Sequence, residues 1–318
     1  MNLDELKQLA EANRTRIQIA TALVIAVLAL GTITVAGFVG KAVIARESDK
    51  EPAAAAGAVP ATPFPKVSIE GKAAAVYDLQ THTLLYGLYE ETPLPLASIT
   101  KLLTVHAALE ALPLDTTLAA TDADPAMSLG DTFTVADLIR LALVASSNAA
   151  ANTLGDAVTL ARAEKPSAFV AGVASAVGLS QTSATNPTGL DESVSQAGGY
   201  GSALDAALLA GALLEKAPAL VSITTEPVVT VASTDGRLHT RPNTNTAIAR
   251  IPGLLFSKTG YTDLAGGNLV VVFDAGINHR IAVAVLGSTE TGRFTDVEQL
   301  INATRTYLGE YYSSQPSV

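Results

Sequence analysis

The sequence predicts an α+β fold: an antiparallel sheet flanked by helices, with a mainly helical middle region, preceded by one transmembrane helix. Three observations carry this. Short β-type runs occur early, at 73–78 and 83–89, and again late, at 254–258, 268–274 and 280–286. Between them, stretches rich in Ala and Leu repeat apolar residues at helical spacing. Ahead of everything stands an uncharged run from Ile17 to Gly40. Strands at both ends of a domain with helices between them imply a sheet completed from both ends of the chain.

The uncharged run is bracketed by Arg14 and Arg16 before it and Lys41 after it. As a helix rising about 1.5 Å per residue it reaches roughly 36 Å, enough for a bilayer core of about 30 Å. Its apolar residues surround the whole helix, unlike the single stripe of a soluble one. The run also exceeds the usual signal-peptide core of about 7 to 15 residues, which favours an uncleaved signal anchor over cleavage near Thr34-Val35-Ala36. Lys7, Arg14 and Arg16 balance Lys41, Arg46 and Lys50, so charge does not set the orientation. The expected organisation is a short cytoplasmic segment over 1–16, the anchor at 17–40, and a Pro- and Ala-containing extracytoplasmic tether over 41–66. A globular domain over 67–313 and a tail at 314–318 complete it.

Within the domain, the polar turn at 80–82 joins the first two strands into a hairpin. Pro93 and Pro95 give an extended approach to a helix whose apolar residues Leu102, Leu103, Val105 and Leu109 follow Ser98 closely, so Ser98 falls at or near a helix start. Helical stretches are expected over 135–154, 166–177 and 202–214. The late strands form a meander, with Gly276 to Asn278 as one turn, and a helix over 296–312 closes the domain.

Composition narrows the function. The chain has 318 residues, 48% of them hydrophobic, which supports a sizeable core. A net charge of −10 without a basic stripe excludes a general nucleic-acid surface. With no cysteine there is neither a disulfide framework nor a thiolate nucleophile, and His82, His106, His239 and His279 are scattered. No dinucleotide fingerprint, phosphate loop or metalloprotease motif occurs, so no cofactor and no metal is expected. The absence of a Gly-Xaa-Ser-Xaa-Gly elbow disfavours a serine hydrolase with a histidine base.

Three short patterns carry chemistry when taken in order: Ser98-Ile99-Thr100-Lys101, Ser146-Ser147-Asn148 and Lys258-Thr259-Gly260. Each alone is commonplace, as an exposed helix pair, a polar turn and a strand end. Together they place a hydroxyl one helical turn from an amine. A serine attacks a carbonyl only after a neighbour removes its proton, which a lysine does only when neutral. Lowering a lysine pKa from about 10.4 to about 7.4 takes about 4 kcal/mol. Burial of Lys101 and the like charge of Lys258 are the expected sources. The Ser98 backbone N–H at the helix start is a first oxyanion donor.

These motifs, with LPLASITKLLTVHAALE, LIRLALVASSNAAANTLG, SATNPTGLDES and NTNTAIARIPGLLFSKTGYTDLAGGNLVVV around them, resemble the low-molecular-mass penicillin-binding proteins, specifically the D-alanyl-D-alanine carboxypeptidase family, over roughly Ala73 to Gly287. The resemblance implies a serine DD-peptidase acting on peptidoglycan peptides that end in D-Ala-D-Ala and acylated by β-lactams. It implies Ser98 as nucleophile, Lys101 as proton acceptor and Ser146 as the relay to the leaving D-alanine. Asn148 would bond the substrate amide, Lys258 and Thr259 would grip the terminal carboxylate, Gly260 would permit close approach, and the Tyr261 N–H would complete the oxyanion hole. Two positions depart from the common pattern: Ala149 stands where many relatives carry Asp, and Ser257 precedes Lys258 after a Phe. Among rivals, a class A β-lactamase needs a further glutamate, and Glu164 and Glu192 read as surface charges. A cross-link endopeptidase and a catalytically silent wall-binding protein share the fold. Oligomeric state is left open.

Overall fold

The computed structural model describes residues 63–276 and 278–313. The expected anchor at 17–40, the segment 1–16, most of the tether and the tail 314–318 lie outside the described residues. Among the described residues no single helix is long and apolar enough to cross a membrane.

Strands β1 (Ala73–Asp78) and β2 (Thr83–Leu88) form the expected hairpin, with Asp78 Oδ1 accepting the Gln80 and Thr81 N–H groups in its turn. The short β3 (Leu94–Pro95) leads into a 3₁₀ turn at Ala97–Thr100 that runs on as helix α1 (Lys101–Ala111). A ribbon of β4 (Thr117–Ala119) and β5 (Thr132–Thr134) precedes α2 (Val135–Val144), α3 (Asn148–Arg162) and α4 (Pro166–Val177). Strands β6 (Ser183–Ala184) and β7 (Gly199–Gly201) join β3 in a small sheet. Helices α5 (Ala203–Lys216) and α6 (Pro218–Val221) follow, then a hairpin of β8 (Val228–Ala232) and β9 (Leu238–Pro242). The meander β10 (Leu254–Thr262), β11 (Gly266–Asp274) and β12 (Arg280–Ser288) leads to α7 (Gly292–Ser313).

The central sheet has the order β10-β11-β12-β1-β2, with every pair antiparallel. Its first strand therefore lies beside its last, Val76 opposite Val283. Both faces are covered, which is why these strands read as continuous apolar runs. Ala73, Ala75, Val270, Val272, Ala282 and Ala284 face a core shared with α1, α2 and α5. Their neighbours Ala74, Val76, Val271, Phe273, Val283 and Val285 face Val297, Leu300 and Ile301 of α7. The period-2 alternation divides one sheet between two cores. Phe256 is fully buried in the helical core two residues before Lys258, and truncating it to Ala costs about 3–5 kcal/mol.

Several boundaries differ from the sequence reading: the strand expected over 254–258 runs on to Thr262, and the closing helix expected over 296–312 starts at Gly292. The stretch 135–154, expected as one helix, is two, because Ser146 takes a left-handed φ of 56° and Ser147 caps a new helix by accepting the Ala150 N–H. Such a turn costs a non-glycine residue about 1–2 kcal/mol, and apolar periodicity does not report it. Phe64, assigned to the tether, packs on Tyr86 and Tyr307 with ring centroids 5.2 and 5.5 Å away.

Candidate active site

The nucleophile candidate sits where three elements meet. Leu96 N–H donates to Gly199 O of β7 at 2.9 Å, and Asn268 Nδ2 of β11 donates to Pro95 O at 2.9 Å, which pins the chain entering the 3₁₀ turn. Ala97 then takes a left-handed φ of 47° and turns Ser98 into a half-buried position. Edge strand β10 runs against this turn. A Cβ on Gly260 would stand 2.8 Å from Leu96 O and 3.2 Å from Ser98 N, so the contact requires glycine. Tyr261 follows directly along the edge strand, its side chain 47% exposed.

Lys101 is fully buried. Its Nζ lies 2.7 Å from Ser98 Oγ, 2.8 Å from Asn148 Oδ1 and 3.1 Å from Thr188 O. Two of these partners, the amide and carbonyl oxygens, only accept, whereas a hydroxyl can also donate. A neutral amine has two N–H groups and one lone pair, so it satisfies all three by donating to Asn148 and Thr188 and accepting the Ser98 proton. Burial lowers the Lys101 pKa to about 7, against the opposing charge of Asp124. The neutral form is thus well populated at neutral pH.

The turn after α2 supplies the second motif. Ser146 Oγ accepts from Lys258 Nζ at 2.8 Å, while Asn148 uses its Oδ1 on Lys101. Between them Ser147 points the other way, its Oγ donating to Asp124 Oδ2 at 2.8 Å. Lys258 is also buried and donates to its neighbour's carbonyl, Thr259 O, at 2.8 Å. Thr259 Oγ1 donates to Thr244 Oγ1 at 2.6 Å. Arg293, from the start of α7, is buried beside this strand and donates from Nη1 to Gly260 O at 2.7 Å. Burial, then the charge of Lys101, then that of Arg293, hold the Lys258 pKa well below its ordinary value.

The structure thus brings Ser98, Lys101, Ser146, Asn148, Lys258, Thr259 and Gly260 together, with Tyr261 exposed on the strand beside them. One expectation shifts. Burial leads the lowering of Lys101, and the mutual repulsion of the two lysines is expressed on Lys258. Sequence reading missed Thr188, Asp124, Thr244 and Arg293. Thr188 lies inside a segment that supported the resemblance, but Asp124 and Arg293 stand apart from every motif and meet these residues only through the fold.

A serine facing a neutral buried amine, beside further basic groups on a sheet edge, defines an acyl-transfer serine hydrolase built for an anionic substrate. Residues 58–290 match the Peptidase S11 family, D-alanyl-D-alanine carboxypeptidase, and the chain belongs to that family of serine peptidases. It is 31% identical over 225 residues to D-alanyl-D-alanine carboxypeptidase DacB2 of Mycobacterium tuberculosis, covering 66% of this chain and 72% of that one. DacF of Bacillus subtilis is 29% identical over 248 residues, covering 73% of this chain and 61% of that longer protein. Among solved structures, Listeria monocytogenes penicillin-binding protein D2 in its ampicillin-bound form aligns with a TM-score of 0.65 and 30% identity, covering 75% of this chain and 98% of that one. The D-alanyl-D-alanine carboxypeptidase from M. tuberculosis aligns with a TM-score of 0.66 and 25% identity, covering 82% and 98%.

Proposed function

We propose that Ser98 is the residue this carboxypeptidase acylates, with Lys101 as its base, on peptidoglycan peptides ending in D-Ala-D-Ala. The single observation that carries the reading is the buried Lys101 Nζ, 2.7 Å from Ser98 Oγ and, among the described residues, hydrogen-bonded otherwise only to Asn148 Oδ1 and Thr188 O. Lys101 accepts the hydroxyl proton as Ser98 Oγ attacks the carbonyl carbon of the penultimate D-alanine. The oxyanion is met by the N–H groups of Ser98 and Tyr261. As the C–N bond breaks, Ser146 Oγ passes a proton to the departing D-alanine amine. The proton held by Lys101 restores that hydroxyl. Water then cleaves the ester, releasing the shortened peptide and restoring Ser98.

Asn148 holds the substrate amide through its remaining NH₂ group. The terminal carboxylate is gripped by Lys258 and Thr259, with the Arg293 charge nearby. Its arrival supplies Lys258 with a counter-charge and favours the protonated amine, so substrate binding takes up a proton. A β-lactam acylates the same Ser98, as the ampicillin-bound form of the Listeria relative supports. The apolar run Ile17–Gly40 anchors the chain in the membrane with residues 67–313 on the extracytoplasmic side, where the wall peptides lie. Retention in the membrane fraction after alkaline carbonate washing checks the anchor.

The test of the site is intact mass after exposure to benzylpenicillin, paired with D-alanine release from diacetyl-Lys-D-Ala-D-Ala. One adduct on wild type and none on Ser98→Ala is expected, with release lowered by at least about 10⁴-fold. An adduct that survives the substitution overturns the assignment.

A further inference from the structure

The turn Ser146–Asn148 sends alternate side chains to opposite sides. Ser146 and Asn148 reach the two catalytic lysines, and Ser147 reaches Asp124. Asp124 Oδ2 also accepts the Ala149 N–H at 3.1 Å, and its Oδ1 accepts the Ala126 N–H at 2.7 Å. The carboxylate thus holds the left-handed turn from outside. The loop that delivers it is itself fastened, since His239 Nδ1 of β9 meets Ala126 O at 3.1 Å and Arg241 of the same strand donates to Pro125 O. Arg237 pairs with Asp131 at the loop's far end.

We infer that Asp124 is a positioning residue of the acylation site: its carboxylate clamps the Ser146–Asn148 turn and places a negative charge where Lys101 feels it. This rests on the roles given to Ser98 and Lys101 above. Two duties follow from one group. Through Ser147 and Ala149 the carboxylate sets where Ser146 and Asn148 point. Through its charge it stabilises the protonated form of Lys101, opposing burial. Other charged groups near the cleft are differently disposed. Lys258 from β10 and Arg293 from α7 are basic, and Glu290 and Tyr261 act on Arg293. Asp191 is bonded to Thr262 and Leu264, Glu192 to Thr185 and Asn186, and Asp122 to Asn152. The base is thereby held near neutrality: it accepts a proton from Ser98 readily and keeps enough basicity to hold it.

The test is the second-order rate of acylation by labelled penicillin, measured from pH 5 to 9 on the full chain. For Asp124→Asn the midpoint of the rising limb is expected to move to lower pH by on the order of half a unit. Ser147→Ala, which removes a clamp bond but no charge, lowers the rate with the midpoint unmoved. Asp124→Ala lowers it by about 10- to 100-fold. A wild-type midpoint in Asp124→Asn overturns the inference, and that variant decides the matter if Asp124→Ala fails to fold. An adduct surviving in Ser98→Ala overturns the nucleophile assignment and this inference together. Wild-type behaviour of the Asp124 variants beside an unreactive Ser98→Ala overturns this inference alone.

Discussion

Basic groups gather at both ends of helix α1, and the two ends treat them oppositely. At its C-terminal end Glu110 meets Arg162 Nη2 at 2.9 Å, Lys216 Nζ at 3.2 Å and His106 Nδ1 at 3.4 Å, and both long basic side chains are partly open to solvent. At its N-terminal end Lys101 is fully buried and bonded to a hydroxyl, an amide and a carbonyl, with no carboxylate among its hydrogen-bond partners in the described residues. Exposed ion pairs form at little cost and contribute about 0–1 kcal/mol. Burying basic groups without an anion in direct contact is expensive, so the N-terminal cluster weakens the fold. The first arrangement is what a stable surface produces by default; the second demands a substrate with a negative charge to complete it.

The sharpest way to break this contrast is Lys101→Arg. The guanidinium stays protonated and cannot accept the Ser98 proton, so penicillin acylation is expected to fall by about 10³-fold, read by adduct formation over time. Next comes Lys258→Met, which removes a buried basic group while keeping its volume. It should lower kcat/KM for D-alanine release by about 10²-fold and yet raise stability by about 1–3 kcal/mol in urea unfolding. A loss of stability there would mean the amine is structural. Smaller still is the effect of pH on the unmodified enzyme. In the proposed mechanism Lys101 acts in its neutral form, and burial lowers its pKa to about 7. Acylation therefore rises with pH through that value, levels off above it, and falls by about tenfold per unit well below it. A flat profile from pH 5 to 8 would contradict the base assignment. Least affected is Glu110→Gln at the paired end of the helix, where kcat/KM should stay within about twofold and stability within about 1 kcal/mol.

Much of the site was legible because its chemistry is local or near-local in sequence. Ser98 and Lys101 share a helical face by spacing alone. Lys258-Thr259-Gly260 sits on a strand that the pattern Leu254 to Lys258 announces. Ser146-Ser147-Asn148 reads as a polar turn, but Ala and Leu continue at helical spacing on both sides of it, so the left-handed break at Ser146 leaves no periodic trace. Arg293 falls outside the closing helix expected over 296–312, and only the packing of α7 on the sheet brings it to Gly260 O. Asp124 was hidden for the same reason, because a loop acidic residue gains its meaning from a turn more than twenty positions later.

By itself the sequence determined the five strands of the central sheet, the joining of early and late strands within it, and the spacing that sets Ser98 beside Lys101, because periodicity and short spacing are properties of the chain. Only the tertiary structure decided that Lys101 is buried, that Lys258 yields to it, and which carboxylate acts on Lys101. Those are matters of desolvation and of distance through space, and both exist only once the chain has closed around the amine.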